Sequence, residues 1–140
     1  MPTLIGTWAD SAARNTPTAG NGVVIEATAS VYRQDDGACK LSVHAQITNH
    51  TLLDAATGAV IVSLLSGGNV VSSLLCTTER CPGRGLPWNP ATVRTGDNAV
   101  TLAAGLSFDQ VGFKIFNSDH DGEPVDFTQL IGLVASVLLP

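Results

Sequence analysis

Charge is what this chain has least of. Asp, Glu, Lys and Arg together make 14% of its 140 residues, against about 25% in an average soluble domain. Its surface must therefore be covered by Ser, Thr, Asn, Gly and apolar groups, which protect poorly against association. A homo-oligomer or a closely packed protein assembly is the expectation that follows. The few basic residues, seven in all and scattered, sit in a chain of net charge −5. A phosphate backbone is bound by clustered Lys and Arg, so no nucleic-acid partner is expected.

Aromatic residues are also scarce, at 5%. That disfavours a wide ligand cavity, which draws on aromatic wall, and favours a core of Val, Leu, Ile and Ala between two sheets packed face to face. Long hydrophobic runs are missing too. The most apolar stretch, 127–139, is interrupted by Thr128, Gln129, Gly132 and Ser136 and falls short of the ~20 residues that cross a bilayer as a helix. No membrane partner is expected. The sequence does not begin with a basic segment followed by an apolar run, so no signal peptide is expected within it. A virion or extracellular location suits the low charge.

Cysteine is limited to three residues. Cys76 and Cys81 bracket the short loop Thr77-Thr78-Glu79-Arg80, and a local Cys76–Cys81 disulfide is sterically reasonable; three reduced cysteines are the alternative. Cys39 lies on the inward phase of a strand and is expected to be a buried thiol. Zinc is not expected, because no second cysteine pair or nearby His completes a four-ligand set.

What the chain does have is alternation. Val23, Ile25, Ala27, Ala29 and Val31 occupy the odd positions of one run, and Cys39, Leu41, Val43, Ala45 and Ile47 those of the next. Between Lys40 and Thr48 the even positions are Lys40, Ser42, His44, Gln46 and Thr48. With Asp35-Asp36-Gly37 between them, the two runs predict an antiparallel hairpin with one face on a core and one in water.

Further along, Ala59–Leu65 and Val70–Cys76 flank Ser66-Gly67-Gly68-Asn69, a second hairpin. Both of its strands are apolar in both phases and are expected to be central or covered on two sides. A loop rich in Pro and Gly carries Trp88. Ala91–Arg94 and Ala99–Ala103 flank Thr95-Gly96-Asp97-Asn98, a turn by composition. Val111, Phe113 and Ile115 alternate with Gly112, Lys114 and Phe116 in the next strand. The segment from Phe127 to Leu139 fits a buried strand better than a helix because of Gly132. Apolar in both phases, it is expected to meet another chain as well as the core.

Short strands separated by turn signals predict an all-β fold, an antiparallel β-sandwich or jelly-roll-like domain of seven to nine strands; a closed β-barrel is the alternative. One domain over 1–140 is expected, with 1–22 as an N-terminal arm or edge strand.

Chemistry-bearing patterns are few. Asn117, Asp119, Asp121 and Glu123, with Gly122, reproduce the first half of a calcium loop, in which alternate oxygens turn toward one hard cation. The second half fails, since Thr128 stands where a bidentate Glu is needed, and the same residues also make a solvated turn. Calcium is therefore the one cofactor worth testing. Ser107 is not in a nucleophile elbow, and His44, His50 and His120 have no catalytic neighbour by spacing. A non-enzymatic role is the expectation, with an enzyme of a motif-poor β fold as a third reading after the two below. Trp8 and Trp88 lie in loop-like sequence, where an exposed indole would stack on a sugar or dock a partner, and a buried one would plug an end of the sandwich. The leading expectation is a non-enzymatic module that self-associates or packs on a neighbouring subunit, in the manner of coat, decoration or tail proteins of virus particles. The alternative is a secreted or surface domain that binds carbohydrate with the help of calcium.

Overall fold

A computed structural model describes residues 2–14 and 22–117. They form seven antiparallel strands in two sheets: β1 (Thr3–Arg14), β2 (Val23–Arg33), β3 (Cys39–Asn49), β4 (Gly58–Ser66), β5 (Asn69–Thr77), β6 (Thr92–Thr101) and β7 (Gln110–Asn117). One sheet has the order β1-β2-β3-β6 and the other β5-β4-β7. The architecture is a β-sandwich, with no closed barrel and no helix among the described residues.

The first hairpin follows its alternation. Val31 lies opposite Leu41, Ala29 opposite Val43 and Ile25 opposite Ile47, and all six are buried. Asp36 accepts a 2.9 Å bond from the Ala38 N–H in the connecting turn, and Gly37 takes a positive φ of 89°, which glycine adopts without a side-chain penalty. Cys39 keeps the inward phase but is only half-buried, because it starts its strand at the open end of the sandwich.

The core is mostly aliphatic, as the composition requires: Ile25, Val31, Leu41, Ile47, Val60, Val62, Leu64, Val111 and Ile115 are fully buried. Each such side chain contributes roughly 1.5–3 kcal/mol over exposure. Trp8, Phe108 and Phe113 supply the bulk that these leave unfilled. The Trp8 and Phe108 rings meet edge to face at 5.8 Å, an arrangement that suits their quadrupoles. Residues 3–14 are thus an edge strand of the first sheet, one that delivers Trp8 and Ala12 to the core.

Two expectations are corrected. β5 is an edge strand, neither central nor covered on both sides: it pairs with β4 alone and leaves Val70, Val71 and Leu75 exposed. Thr95-Gly96-Asp97-Asn98 is not a turn. β6 runs straight through it, paired with β3 from Thr92 to Thr101. The glycine serves a different need, since the Thr77 carbonyl of β5 lies where a side chain at 96 would go. There the two sheets close on each other, and the Asn98 amide donates a 2.8 Å bond to the Leu75 carbonyl.

Candidate functional site: the loop pole

Antiparallel order sends every second connection to the same end of a sandwich. Here the β3–β4 and β5–β6 connections, the end of β1, the start of β2 and the end of β7 share one pole. The opposite pole carries the tight turn at Gly37, the two-residue turn Gly67-Gly68 and the 102–109 connection. Long loops on a rigid scaffold are where binding surfaces are built.

Asn49, the last residue of β3, organises that pole. Fully buried, it donates from Nδ2 to the Asp54 carbonyl at 2.8 Å and to the Cys81 carbonyl at 3.1 Å. Its Oδ1 accepts from the Thr51 N–H at 2.9 Å and the Thr51 hydroxyl at 2.7 Å. The two loops are then laced directly. The Arg84 N–H donates to Thr51 O and the Gly85 N–H to Leu52 O, while Arg84 Nε donates to His50 O at 2.9 Å and its Nη1 to Pro87 O at 2.8 Å. Gly83 has the Leu52 carbonyl carbon and oxygen against its α-carbon face, so no larger residue fits. Asn89 closes the tip, its amide donating to Arg84 O at 2.8 Å.

On this frame stand Trp88, 78% exposed, and Leu53, 77% exposed, together with the partly exposed Leu52 and Leu86. Solvating four large apolar side chains on hydrogen-bonded loops is unfavourable without a partner. An exposed indole on hydrogen-bonded loops that also carry exposed leucines is the composition of an interface hot spot or a sugar-stacking platform. Sequence reading found Trp88 but missed Leu52 and Leu53. Two adjacent leucines within Asn49-His50-Thr51 and Asp54 were the available signal.

The other expected site residues fall differently. Trp8 faces inward at 1% exposure and offers no ring face to a ligand. Its burial follows from its phase on β1, where it lies opposite Ala29. Cys76 and Cys81 are not joined; both are buried free thiols, Cys76 Sγ donating to the Gly96 carbonyl at 3.5 Å and Cys81 Sγ to the Thr92 carbonyl at 3.4 Å. Burial, and after it the Asp97 carboxylate, pushes the Cys76 thiol above its ordinary pKa, against the lowering effect of a backbone bond at Ala45. Asn117 ends β7 buried, its Oδ1 accepting from the Thr57 N–H at 3.2 Å. Asp119, Asp121, Glu123 and the segment Phe127–Leu139 lie outside the described residues. Among the described residues no three His, Cys, Asp or Glu side chains gather as a metal set.

His44 gains a neighbour that its sequence position hid. It lies opposite Asp97 on β6, with Nδ1 2.7 Å from Asp97 Oδ1. The pair stands on the open, Ser- and Thr-rich outer face of the first sheet, where both side chains are half or more exposed. Compared with known protein families, with characterised proteins and with solved structures, the chain matches none.

Proposed function

We propose that this chain is a non-enzymatic assembly module that docks on copies of itself or on a neighbouring subunit through the loop pole, in the manner of a coat, decoration or tail component. The observation that carries the reading is Trp88 held at 78% exposure on two mutually hydrogen-bonded loops. Preformed loops lower the ordering cost of association, and Trp is the residue type most enriched among interface anchors. The low charge of the whole chain points the same way. Carbohydrate stacking on Trp88, aided by calcium at Asn117 and the acidic residues after it, is the second reading, favoured by the same exposed indole.

One experiment separates them. Light scattering of the wild-type chain and of a Trp88→Ala/Leu53→Ser variant, with and without calcium and an oligosaccharide panel, reads mass. Indole fluorescence reads ligand contact at Trp88, since Trp8 is buried. The assembly reading expects a wild-type oligomer, indifferent to calcium, that dissociates in the variant while the melting temperature stays within a few degrees. A calcium-dependent fluorescence change with one sugar on a monomer supports the second reading. A wild-type monomer at high concentration that also ignores both additives overturns both.

A further inference from the structure

The outer faces of the two sheets differ in composition. On the first sheet most outward residues are polar, Thr28, Ser30, Ser42, His44, Gln46 and Thr95 among them, with Val24, Tyr32 and Val93 as larger exceptions in the same register. On the second, larger apolar residues stand among Ser, Thr, Gln and one Lys. Val60, Val62 and Leu64 of β4 face the core, so Ala59, Ile61, Ser63 and Leu65 face away; their register partners are Thr77, Leu75, Ser73 and Val70 on β5 and Phe116, Lys114, Gly112 and Gln110 on β7. Among the described residues of this outer face Lys114 is the one charge.

Exposure across the face is uneven. Val70 and Leu75 of β5 are 60% and 50% exposed, whereas Ala59 of β4 is 1% exposed and Gly112 of β7 is buried, with Ile61, Leu65 and Phe116 intermediate. The shielded half is the half next to the strand from which the chain continues.

We propose that the β4–β7 half of this outer face is the docking site of the chain's own C-terminal segment, Phe127–Leu139. The chain leaves β7 at Asn117, directly after Phe116, and residues 118–126 are enough to reverse direction. The segment then spans roughly 20 Å if helical and more if extended, against roughly 30 Å for β4. Its apolar residues, among them Leu130, Ile131, Leu133, Val134 and Leu138, match a face that water would otherwise have to solvate. A segment apolar in both phases needs two covers; this face supplies the first, and the second remains for a neighbouring molecule. The proposal is independent of the role assigned to the loop pole.

The test is a full-length chain with a photoreactive benzoylphenylalanine at Lys114, an exposed outward position that tolerates the change. The Trp88→Ala/Leu53→Ser background keeps association through the pole out of the measurement. Irradiation followed by peptide mapping is expected to give a monomer-mass product joined to a peptide within 127–139. The proposal is overturned by a dimer-mass product, by joining to any other segment, or by no product. As a second measurement, radical footprinting of Ile61 and Phe116 should rise several-fold in Leu130→Asp/Val134→Asp with its β-sheet circular dichroism intact. Unchanged footprinting in that folded variant also overturns it.

Discussion

The carbonyl of Thr77 occupies the space that a side chain on Gly96 would need. Around this contact the end of β5 lies against the middle of β6, with Glu79 N–H donating to Thr95 O at 3.2 Å and Cys76 Sγ reaching Gly96 O. Backbone stands against backbone, so neither partner can yield by changing rotamer. Gly96→Ala is expected to destabilise by about 3 kcal/mol or more, while Ala99→Ser, three residues along on the exposed face, changes stability by less than about 0.5 kcal/mol. Urea denaturation of the two variants decides; similar midpoints would mean that the sheets do not meet there.

The facing of the first hairpin makes a second comparison. Val43 is buried, opposite Ala29 on β2 and Asn98 on β6, whereas Gln46 points outward between Glu26 and Thr95. Val43→Asp places a carboxylate in an aliphatic core and is expected to cost upwards of about 4 kcal/mol. Gln46→Lys meets water and Glu26 and is expected to be nearly silent. Equal melting temperatures would refute the assigned phase.

These two cases show what was legible. Alternation is a local signal with period two, so the hairpin of Val23–Arg33 and Cys39–Asn49 could be read residue by residue. The meaning of Gly96 could not, because a glycine in a turn and a glycine under a crossing backbone look the same in one dimension. For the same reason β5 read as central: apolarity in both phases does not say whether the second cover is another strand, another segment or a partner. Trp8, among Gly6, Thr7 and Asp10, could be read either as an exposed indole or as a plug of the sandwich, although its alternation with Ala12 on β1 already held its inward phase. At the loop pole Trp88 was legible from its Pro-rich setting, but its company was not, since the loop that carries Leu52 and Leu53 is tied to the loop of Trp88 only through bonds across more than thirty residues of chain.

Thiol chemistry distinguishes the three cysteines. Cys39 is half-buried, Cys76 and Cys81 buried and unpaired. Native protein treated with a thiol reagent is expected to lose one thiol first, Cys39, and to reveal two more only on unfolding. A count of one thiol after unfolding without reductant would mean that Cys76 and Cys81 are bridged.

Alkaline pH gives a signed expectation. With its pKa raised by burial and by Asp97, the Cys76 thiol stays neutral in the fold after it has begun to ionise in the unfolded chain. Below the ordinary thiol value, about 8.5, both states are neutral and the full stability is present. Above it the unfolded state gains charge first, so stability falls as pH rises toward the raised folded value. The drop in melting temperature between about pH 8 and pH 10 should be larger in the wild type than in Cys76→Ala. Parallel curves for the two would remove Cys76 as the cause.

Asn49 ties stability to the proposed role. All of its polar capacity is used, two bonds given and two accepted, and it is fully buried. Replacement by Leu orphans the Thr51 N–H, which costs ~1–3 kcal/mol when left unpaired and less where water reaches it, and removes one of two donors from the Asp54 and Cys81 carbonyls, which keep the Thr51 hydroxyl and the Ala56 N–H. The expected loss is about 3 kcal/mol. The local consequence matters more: the 50–57 loop loses its attachment to the end of β3, and with it the frame under Leu53 and, through Thr51 O and Leu52 O, under Arg84, Gly85 and Trp88. Association through the pole should therefore weaken by more than tenfold at temperatures where Asn49→Leu is still fully folded, because the loops must now be ordered on binding. Amide exchange of Arg84 and Gly85 should accelerate in the same variant, while that of Val43 and Ala45 in the strand stays slow. Weakened association with unchanged loop exchange would break the link between this asparagine and the pole. Accelerated exchange with unchanged association would show that Trp88 does not need its frame.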